Sequence, residues 1–420
     1  MKTFYIRTLG CKVNQCDSLG IREKFLSLGW QESPKNAKAD VCIVNTCCVT
    51  HHADRKSRNA ISSVVRGNPA AKIVVTGCYA SYDRSAIEGI EGIAAVFEND
   101  KKEELFRWAQ GLSLSSYVEG GRVYPVRSNM TRGFLKIQDG CSNSCSYCIV
   151  PLVRGPSKSK EPVRILSEAR HLVGAGHKEI VLTGVCLGSF GKDLSDKEDI
   201  VDIITRLEEI EGLARIRLSS IEAGDVTDRL INKMSGSKKL MPHLHIPFQS
   251  GDDRVLEAMN KRLRVGDYSA IVDKAKAKIE DLAITCDFIV GYPQEDEKSF
   301  KNTLKFLDFV KPLKTHIFSY SPRLGTLSCR NVKMPDAKVV KERYTLFKQK
   351  AEEIAADYKK SYIGREMAVL FEIEKMGVWQ GHTGNYMLVK ADIEGSLKGD
   401  IRRVLLTGIE GDSVIGKELT

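Results

Sequence analysis

The sequence predicts an α/β protein in three parts: an open parallel sheet domain at the N-terminus, a central partial (βα)6 barrel of TIM-like build, and a small antiparallel β-barrel at the C-terminus. Three patterns predict it. The opening part repeats strand, turn and helix, the middle alternates six strands with helices, and from Ser361 onward short β-like runs are broken by glycines. The parts are expected at residues 1–125, 130–360 and 361–420.

In the opening part, Thr3 to Thr8, Val41 to Asn45 and Lys72 to Thr76 read as strands that lead to Cys11, Cys47 and Cys78. Helix-like stretches, Ser18 to Leu28 and Ala53 to Val65, lie between them. The crossovers should therefore be parallel and the strand ends should face one way. Ligands of open sheets gather at that carboxyl edge, so three thiols far apart in the chain can converge there. Convergence points to a metal cluster held by three cysteines; the competing reading is that these are small buried residues, as cysteine often is. Cys42, inside a strand, fits the buried reading, and Cys48 competes with its neighbour Cys47 as a ligand. Helix-like runs are expected from Ile87 to Phe97 and around Glu103 to Trp108, followed by a polar connection from Gly111 to Asn129.

The middle part begins with a strand, Phe134 to Ile137, that runs into a loop carrying Cys141, Cys145 and Cys148, with the aromatic Tyr147 just before the last thiol. Three thiols and no fourth suit an iron-sulfur cluster with one iron left open. A structural zinc site would want four ligands. Further strands are expected at Glu179 to Leu182, Arg215 to Leu218, His243 to Phe248, Ile284 to Val290 and His316 to Tyr320. Helices are expected at Pro162 to Val173, Glu198 to Glu209, Val226 to Met234, Val255 to Met259, Arg264 to Lys278 and Glu297 to Val310. An incomplete barrel of this kind leaves an opening for a large substrate, with functional residues at the carboxyl ends of its strands. His243 and His245 alternate along one strand and share a face, where wall is the better reading than metal ligand because the sequence shows no third partner.

A helix from Asp336 to about Tyr358 precedes the last part, whose β-like runs are Glu366 to Ile373, Trp379 to Val389 and Ile401 to Thr407. Small barrels of this type often serve as oligonucleotide platforms. Trp379, Tyr386 and His382 are candidates to stack on bases, and Lys390, Arg402 and Arg403 to meet phosphates.

The length of 420 residues exceeds what one core usually serves, and the hydrophobic fraction of 42% is ordinary for a soluble protein. No apolar run is long enough to cross a bilayer, and the N-terminus enters a strand without a signal-peptide core. Twelve cysteines without a secretory signal argue for a reducing compartment, so the cytoplasm is the expected location and no membrane is expected as a partner. A net charge of +10 and a pI near 8.9 fit nucleic-acid binding without demanding it.

The Cys141, Cys145, Cys148 loop, aromatic included, resembles that of the radical S-adenosylmethionine enzymes. Over essentially its full length the chain resembles the methylthiotransferases, whose C-terminal barrel is of the TRAM type. The similarity is greatest to the branch acting on N6-threonylcarbamoyladenosine in tRNA. It is carried by Thr8-Leu9-Gly10-Cys11-Lys12-Val13-Asn14-Gln15, by Asn45-Thr46-Cys47-Cys48-Val49-Thr50 with Ala53 to Arg58 behind it, and by Leu182-Thr183-Gly184-Val185. Other branches tend to Gln-Met-Asn or Pro-Lys-Asn after the first cysteine, where this chain has Lys12-Val13-Asn14. Cys16 and Leu324 depart from the branch, which more often has tyrosine and proline there.

The resemblance implies two 4Fe-4S clusters, one on Cys141, Cys145 and Cys148 and an auxiliary one on Cys11, Cys47 and Cys78 that handles the sulfur. It implies S-adenosylmethionine as both methyl donor and radical source, bound by Tyr147, Gly184, Ser220, Gln249 and Gly291, and a methylthio group inserted at carbon 2 of the adenine. Beyond the cluster ligands it implies no catalytic residue. The implied partners are tRNA, an electron donor such as flavodoxin or ferredoxin, and a sulfur source, with the chain a monomer. The basic loop Arg154 to Lys160, with Arg154, Lys158 and Lys160, is the expected contact for tRNA phosphate. Two rivals stand beside this reading: a sister branch acting on isopentenyladenosine or a ribosomal-protein aspartate, and a zinc-containing RNA-binding protein without catalysis.

Overall fold

The structure, a computed structural model, describes residues 1–34, 38–112, 130–330 and 333–419. The connection expected from Gly111 to Asn129 lies outside the described residues from 113 onward.

The opening part is one parallel sheet whose strands run in the order Gln31–Glu32, Thr3–Thr8, Val41–Thr46, Lys72–Gly77, Ile93–Phe97. Its central strand, Val41–Thr46, is buried at every residue, as a strand covered on both faces must be. The covering helices are Lys12–Ser27 and Lys102–Leu112, and His51–Gly67, which Thr50 starts by accepting a hydrogen bond from the Ala53 amide at 3.1 Å. The expected helix from Ile87 to Phe97 is corrected: Arg84–Glu88 is helical, Gly92 turns the chain at φ +91°, and Ile93–Phe97 pairs with Lys72–Gly77 as an edge strand. A glycine at positive φ ends helical phase, and the apolar run beyond it is free to join the sheet.

The central part contains six parallel strands, Gly133–Lys136, Glu179–Thr183, Arg215–Leu218, His243–Gln249, Ala283–Val290 and Lys314–Ser319, forming two three-stranded sheets. Parallel bridges at Ile216 with Leu240 and Ser220 with His245 join the two, so the six strands make an incomplete barrel, as expected. Alternation sorts the strands: Leu244, Ile246 and Phe248 pack into the core under the helices, while His243 and His245 take the opposite face. The long helix Ala337–Lys360 closes this part by burying Phe347 against Phe288, ring centroids 5.1 Å apart.

The last part is a closed five-stranded barrel of Glu366–Lys375, Val378–Thr383, Leu388–Ala391, Ile401–Glu410 and Ser413–Glu418. The single run expected from Trp379 to Val389 is two strands split by a turn at Gly384 to Met387, and the strand at Ser413–Glu418 was not foreseen. Pairing is antiparallel except between Leu388–Ala391 and Ser413–Glu418, which run parallel to close the barrel. Two buried arginines of the central part dock it: Arg215 donates to the carbonyls of His382 and Ala368, and Arg217 to those of Gly384 and Thr383.

Candidate active site

The three strand ends of the opening sheet do bring their cysteines together. The Cys47 Sγ lies 3.0 Å from where a Cβ on Gly10 would stand, beside Cys11, and Cys47 feels the charge of both Cys78 and Cys11. Asn14 ties these loops: its side-chain amide donates to Leu9 O and Thr46 O, both at 2.8 Å, and its carbonyl oxygen faces the Cys78 thiol at 3.9 Å. Gly77, at φ +96°, delivers Cys78 where a Cβ would strike the Asn45 side chain. Cys48 hydrogen-bonds with Cys78, lowering the Cys78 thiol, but is fully buried in the apolar core, whereas Cys11 is exposed and Cys47 half-buried. Cys16 stands apart, with Asp17, Lys136, Lys160 and Thr183 around it, and burial first of all pushes its thiol up to about 12.

The second trio sits on a loop closed by short strands Gln138–Asp139 and Lys158–Ser159. Gly140, at φ +66°, lets the chain pass within reach of Pro156, whose carbonyl a Cβ would meet at 2.0 Å. Cys141, Cys145 and Cys148 lie within electrostatic reach of one another. Gln138 supports them from below, donating to Asp139 O at 2.8 Å, Gly140 O at 2.7 Å and Ser157 Oγ at 2.9 Å, and accepting from the Cys186 amide at 2.9 Å. Ser146 anchors the far side through Ala258 O at 2.8 Å and the Tyr292 hydroxyl at 2.9 Å. Tyr147 packs against the cluster of Val255, Met259, Ile289, Tyr292 and Tyr320.

The two trios belong to one assembly. Ile149 and Val153, directly after Cys148, are core residues of the opening part, packed with Cys48, Cys78 and Tyr79. Arg154 then reaches Asp17 at 3.2 Å, Asp139 at 2.8 Å and the Asn14 oxygen. Burial alone would raise the Asp17 carboxyl, but Lys102, Lys136 and Arg154 together hold it well below the usual range. On the other flank Arg323 forks onto Asp54 at 2.7 and 3.0 Å with its guanidinium over the Tyr82 ring.

Gly184 is buried, and a Cβ there would come 2.9 Å from Gln138 Oε1. Ser220 bridges to His245, Gln249 ends its strand at φ +71°, and Gly291, at φ +77°, faces Val340 of the last long helix. Three RNA expectations are corrected. Arg154, its side chain 3% exposed, is a pin between two parts of the chain and not a surface phosphate contact. Trp379 is buried in the small barrel with its indole N–H donating to Gly395 O at 3.0 Å, so no base can stack on it. Tyr386 is enclosed, stacked with His243 at 4.5 Å and His382 at 4.8 Å and with the Arg217 guanidinium over its ring at 4.9 Å. Lys160 is paired with Glu168, while Lys158 and Arg402 remain exposed.

Sequence reasoning missed Asp287, which accepts from His316 at 3.0 Å and pairs with His245 at 3.2 Å, grouping these three side chains while His243 turns instead to the Thr285 hydroxyl at 3.0 Å. It also missed Cys186, whose hydrogen bond to Cys141 lowers that thiol. Spacing gave no signal for either, since each is brought in from another strand or loop.

Three thiols on the loop that leaves the first strand of a six-stranded parallel barrel define the radical S-adenosylmethionine class of protein, and residues 135–307 match the family model described as Radical SAM superfamily. Residues 3–98 match a model described as Uncharacterized protein family UPF0004. The threonylcarbamoyladenosine tRNA methylthiotransferase MtaB of Bacillus subtilis is 36% identical over 407 residues, covering 93% of this chain and 90% of that protein. Its namesake from Thermotoga maritima is 36% identical over 426 residues, 99% of this chain and 96% of its own. The tRNA-2-methylthio-N(6)-dimethylallyladenosine synthase of Alkaliphilus oremlandii is 33% identical over 387 residues, 88% of this chain and 82% of its own. Among solved structures, the radical S-adenosylmethionine methyltransferase TsrM of Kitasatospora setae shares the fold, with a TM-score of 0.57 at 13% identity over 78% of this chain and 77% of that one. The chain belongs to the threonylcarbamoyladenosine tRNA methylthiotransferase family.

Proposed function

We propose that this chain inserts a methylthio group at carbon 2 of N6-threonylcarbamoyladenosine beside the anticodon of tRNA. The observation that carries the reading is the pairing of two three-cysteine sites in one assembly, within a chain that matches the MtaB relatives from end to end. Cys141, Cys145 and Cys148 would hold one 4Fe-4S cluster and Cys11, Cys47 and Cys78 the other. The fit is supported by what the residues do: each trio converges, the loops of Cys11, Cys78 and Cys141 turn at glycines whose Cβ would collide, and Cys48 and Cys186, which hydrogen-bond to Cys78 and Cys141, are buried behind them. Cys47 is the proposed ligand of its pair because its Sγ stands 3.0 Å from the Cβ position of Gly10, beside Cys11.

When bound, the clusters and S-adenosylmethionine supply the sulfur, the methyl group and the radical reactivity that an aromatic C–H demands and that no side chain provides. The protein contributes binding and orientation. Gly184, Ser220, Gln249 and Gly291, at the carboxyl ends of their strands, and Tyr147 beside the loop are the proposed contacts for S-adenosylmethionine. Lys158, Arg402 and Arg403 are the proposed phosphate contacts, being exposed cations on the loop and the small barrel. An electron donor such as flavodoxin or ferredoxin, a sulfur source, a monomeric state and a cytoplasmic location complete the proposal; no described helix is long and apolar enough to cross a membrane.

Mass spectrometry of nucleosides from tRNA of cells with and without the gene tests it. Loss of the 2-methylthio form of threonylcarbamoyladenosine on deletion is expected. Loss of the 2-methylthio form of isopentenyladenosine instead would move the chain to the sister branch, and an unchanged tRNA profile would remove it from tRNA modification.

A further inference from the structure

Three side chains from three adjacent strands meet on the inner face of the partial barrel. His245 lies on His243–Gln249, Asp287 on Ala283–Val290 and His316 on Lys314–Ser319, with His245 opposite Thr285 and Asp287 opposite His316. Their neighbours Ile246, Cys286 and Phe288 pack under the helices, so alternation sends all three to the other face. One nitrogen or oxygen atom from each lies within 4.8 Å of those of the other two. His316 Nδ1 is 3.0 Å from Asp287 Oδ1, and His245 Nε2 is 3.2 Å from Asp287 Oδ2.

Asp287 has no permanent cation beside it. Its side chain is 21% exposed and, among the described residues, its ion-pair partners are these two histidines, with no lysine or arginine. Hydrogen bonds from neutral imidazoles would satisfy its oxygens without opposing its charge, and a charge withdrawn from water without a counter-charge is costly. A divalent cation meets both needs, taking a lone pair from each of the three side chains. The second nitrogen of His245 is also held: Nδ1 meets the Thr285 hydroxyl at 2.8 Å, and that hydroxyl is fixed in turn by His243 Nε2 at 3.0 Å. The ring is thereby kept with Nε2 toward Asp287, and metal-binding imidazoles are oriented through their other nitrogen in this way.

We infer that His245, Asp287 and His316 bind a divalent transition-metal ion. Two imidazoles and one carboxylate suit zinc and its neighbours in the first transition row, whereas magnesium and calcium take oxygen ligands. With metal–ligand bonds of about 2.0–2.2 Å, ligand atoms around a tetrahedral ion stand about 3.4 Å apart, a spacing that both carboxylate contacts already approach. The His316 ring, 46% exposed on the outermost strand of its sheet, has room to turn and close the remaining gap. Three protein ligands leave a fourth position open. Two residues beyond Asp287, on the same face of the same strand, Ile289 packs with Tyr147 of the cysteine loop. The ion therefore stands on the wall beneath that loop, its open position available to an oxygen or nitrogen atom of a bound substrate. Metal binding here is independent of which adenine the chain modifies.

The test uses the full-length protein, reconstituted anaerobically so that iron occupies the cysteine sites, with zinc chloride as the probe. Isothermal titration calorimetry and metal analysis after desalting should give about one zinc per chain, and X-ray absorption at the zinc edge should show nitrogen and oxygen neighbours at about 2.0–2.2 Å with no sulfur at about 2.3 Å. D287N and H316Q should each weaken zinc binding at least about 100-fold while iron stays at about eight per chain. C11A/C47A/C78A should bind zinc as tightly as the wild type. If D287N does not fold, H316Q, a change on the exposed outer strand, carries the same comparison. A wild type that retains no zinc, zinc with sulfur neighbours, or undiminished binding by H316Q overturns the inference.

Discussion

Arg154 and Asp17 meet at 3.2 Å although one follows the cysteine loop of the central barrel and the other lies in the first helix of the opening sheet domain. Both side chains are almost fully buried, so this contact holds the two three-cysteine sites in one frame. Asp17 keeps Lys102 and Lys136 when Arg154 is removed, so the loss should be smaller than the roughly 3–5 kcal/mol of a buried pair that leaves one charge stranded. R154M should therefore lower the melting temperature and reduce the iron retained by Cys11, Cys47 and Cys78 more than that retained by the other trio. Differential scanning calorimetry and iron analysis check this, and equal loss at both sites would show that Arg154 does not act at the junction.

Arg323 and Asp54 form the second clamp between the same parts, with two hydrogen bonds and an arginine 1% exposed. D54A should cost about 3–5 kcal/mol, and the double variant D54L/R323M less than D54A alone, since no charge is then left unpaired. Thermal unfolding of the three proteins, followed by circular dichroism, gives the comparison.

Gly77 can be replaced only at a cost. An alanine Cβ would lie 2.4 Å from Asn45 Oδ1 and 2.5 Å from Thr46 O, and φ of +96° is unfavourable for any L side chain. G77A should displace Cys78 and lower iron content by about half, to about four per chain. S-adenosylmethionine cleavage, which the other trio supports, should persist.

Glu23 gives stability a pH dependence. Burial, then Glu168, lift its carboxyl from the ordinary 4.5 to about 7. The folded protein therefore binds this proton more firmly than the unfolded chain does, so the favourable contribution is full below the ordinary value and is lost as pH rises through about 7. E23Q should match the wild type at about pH 4.5 and melt higher at about pH 8. A melting difference that is the same at both pH values would rule out this assignment.

Much of this architecture was legible because strands of parallel sheets are short apolar runs that end in polar or glycine residues. Arg215–Leu218 and Glu297–Val310 form with the boundaries their patterns suggest. Ile93–Phe97 was hidden because an apolar run of that length fits helix or strand alike, and the glycine turn at Gly92 decides it. The cysteines of the candidate site were visible through spacing and strand position. Arg154, Trp379 and Tyr386 were misplaced because sequence reports charge and aromaticity but not the face presented: the first is buried in a junction, the second in a core, and the third is packed against two imidazoles and an arginine. Gln138 acts through a partner on a distant loop and Asp287 through partners on neighbouring strands, relationships no local pattern records.

The central claim, that two three-cysteine sites divide the work of one reaction, is tested most directly by comparing two triple variants after anaerobic reconstitution. C11A/C47A/C78A should keep about four of about eight irons and still cleave S-adenosylmethionine reductively, yet add no methylthio group to tRNA. C141A/C145A/C148A should also keep about four irons but lose that cleavage. Retention of all iron by either variant, or methylthio transfer by the first, would contradict the account.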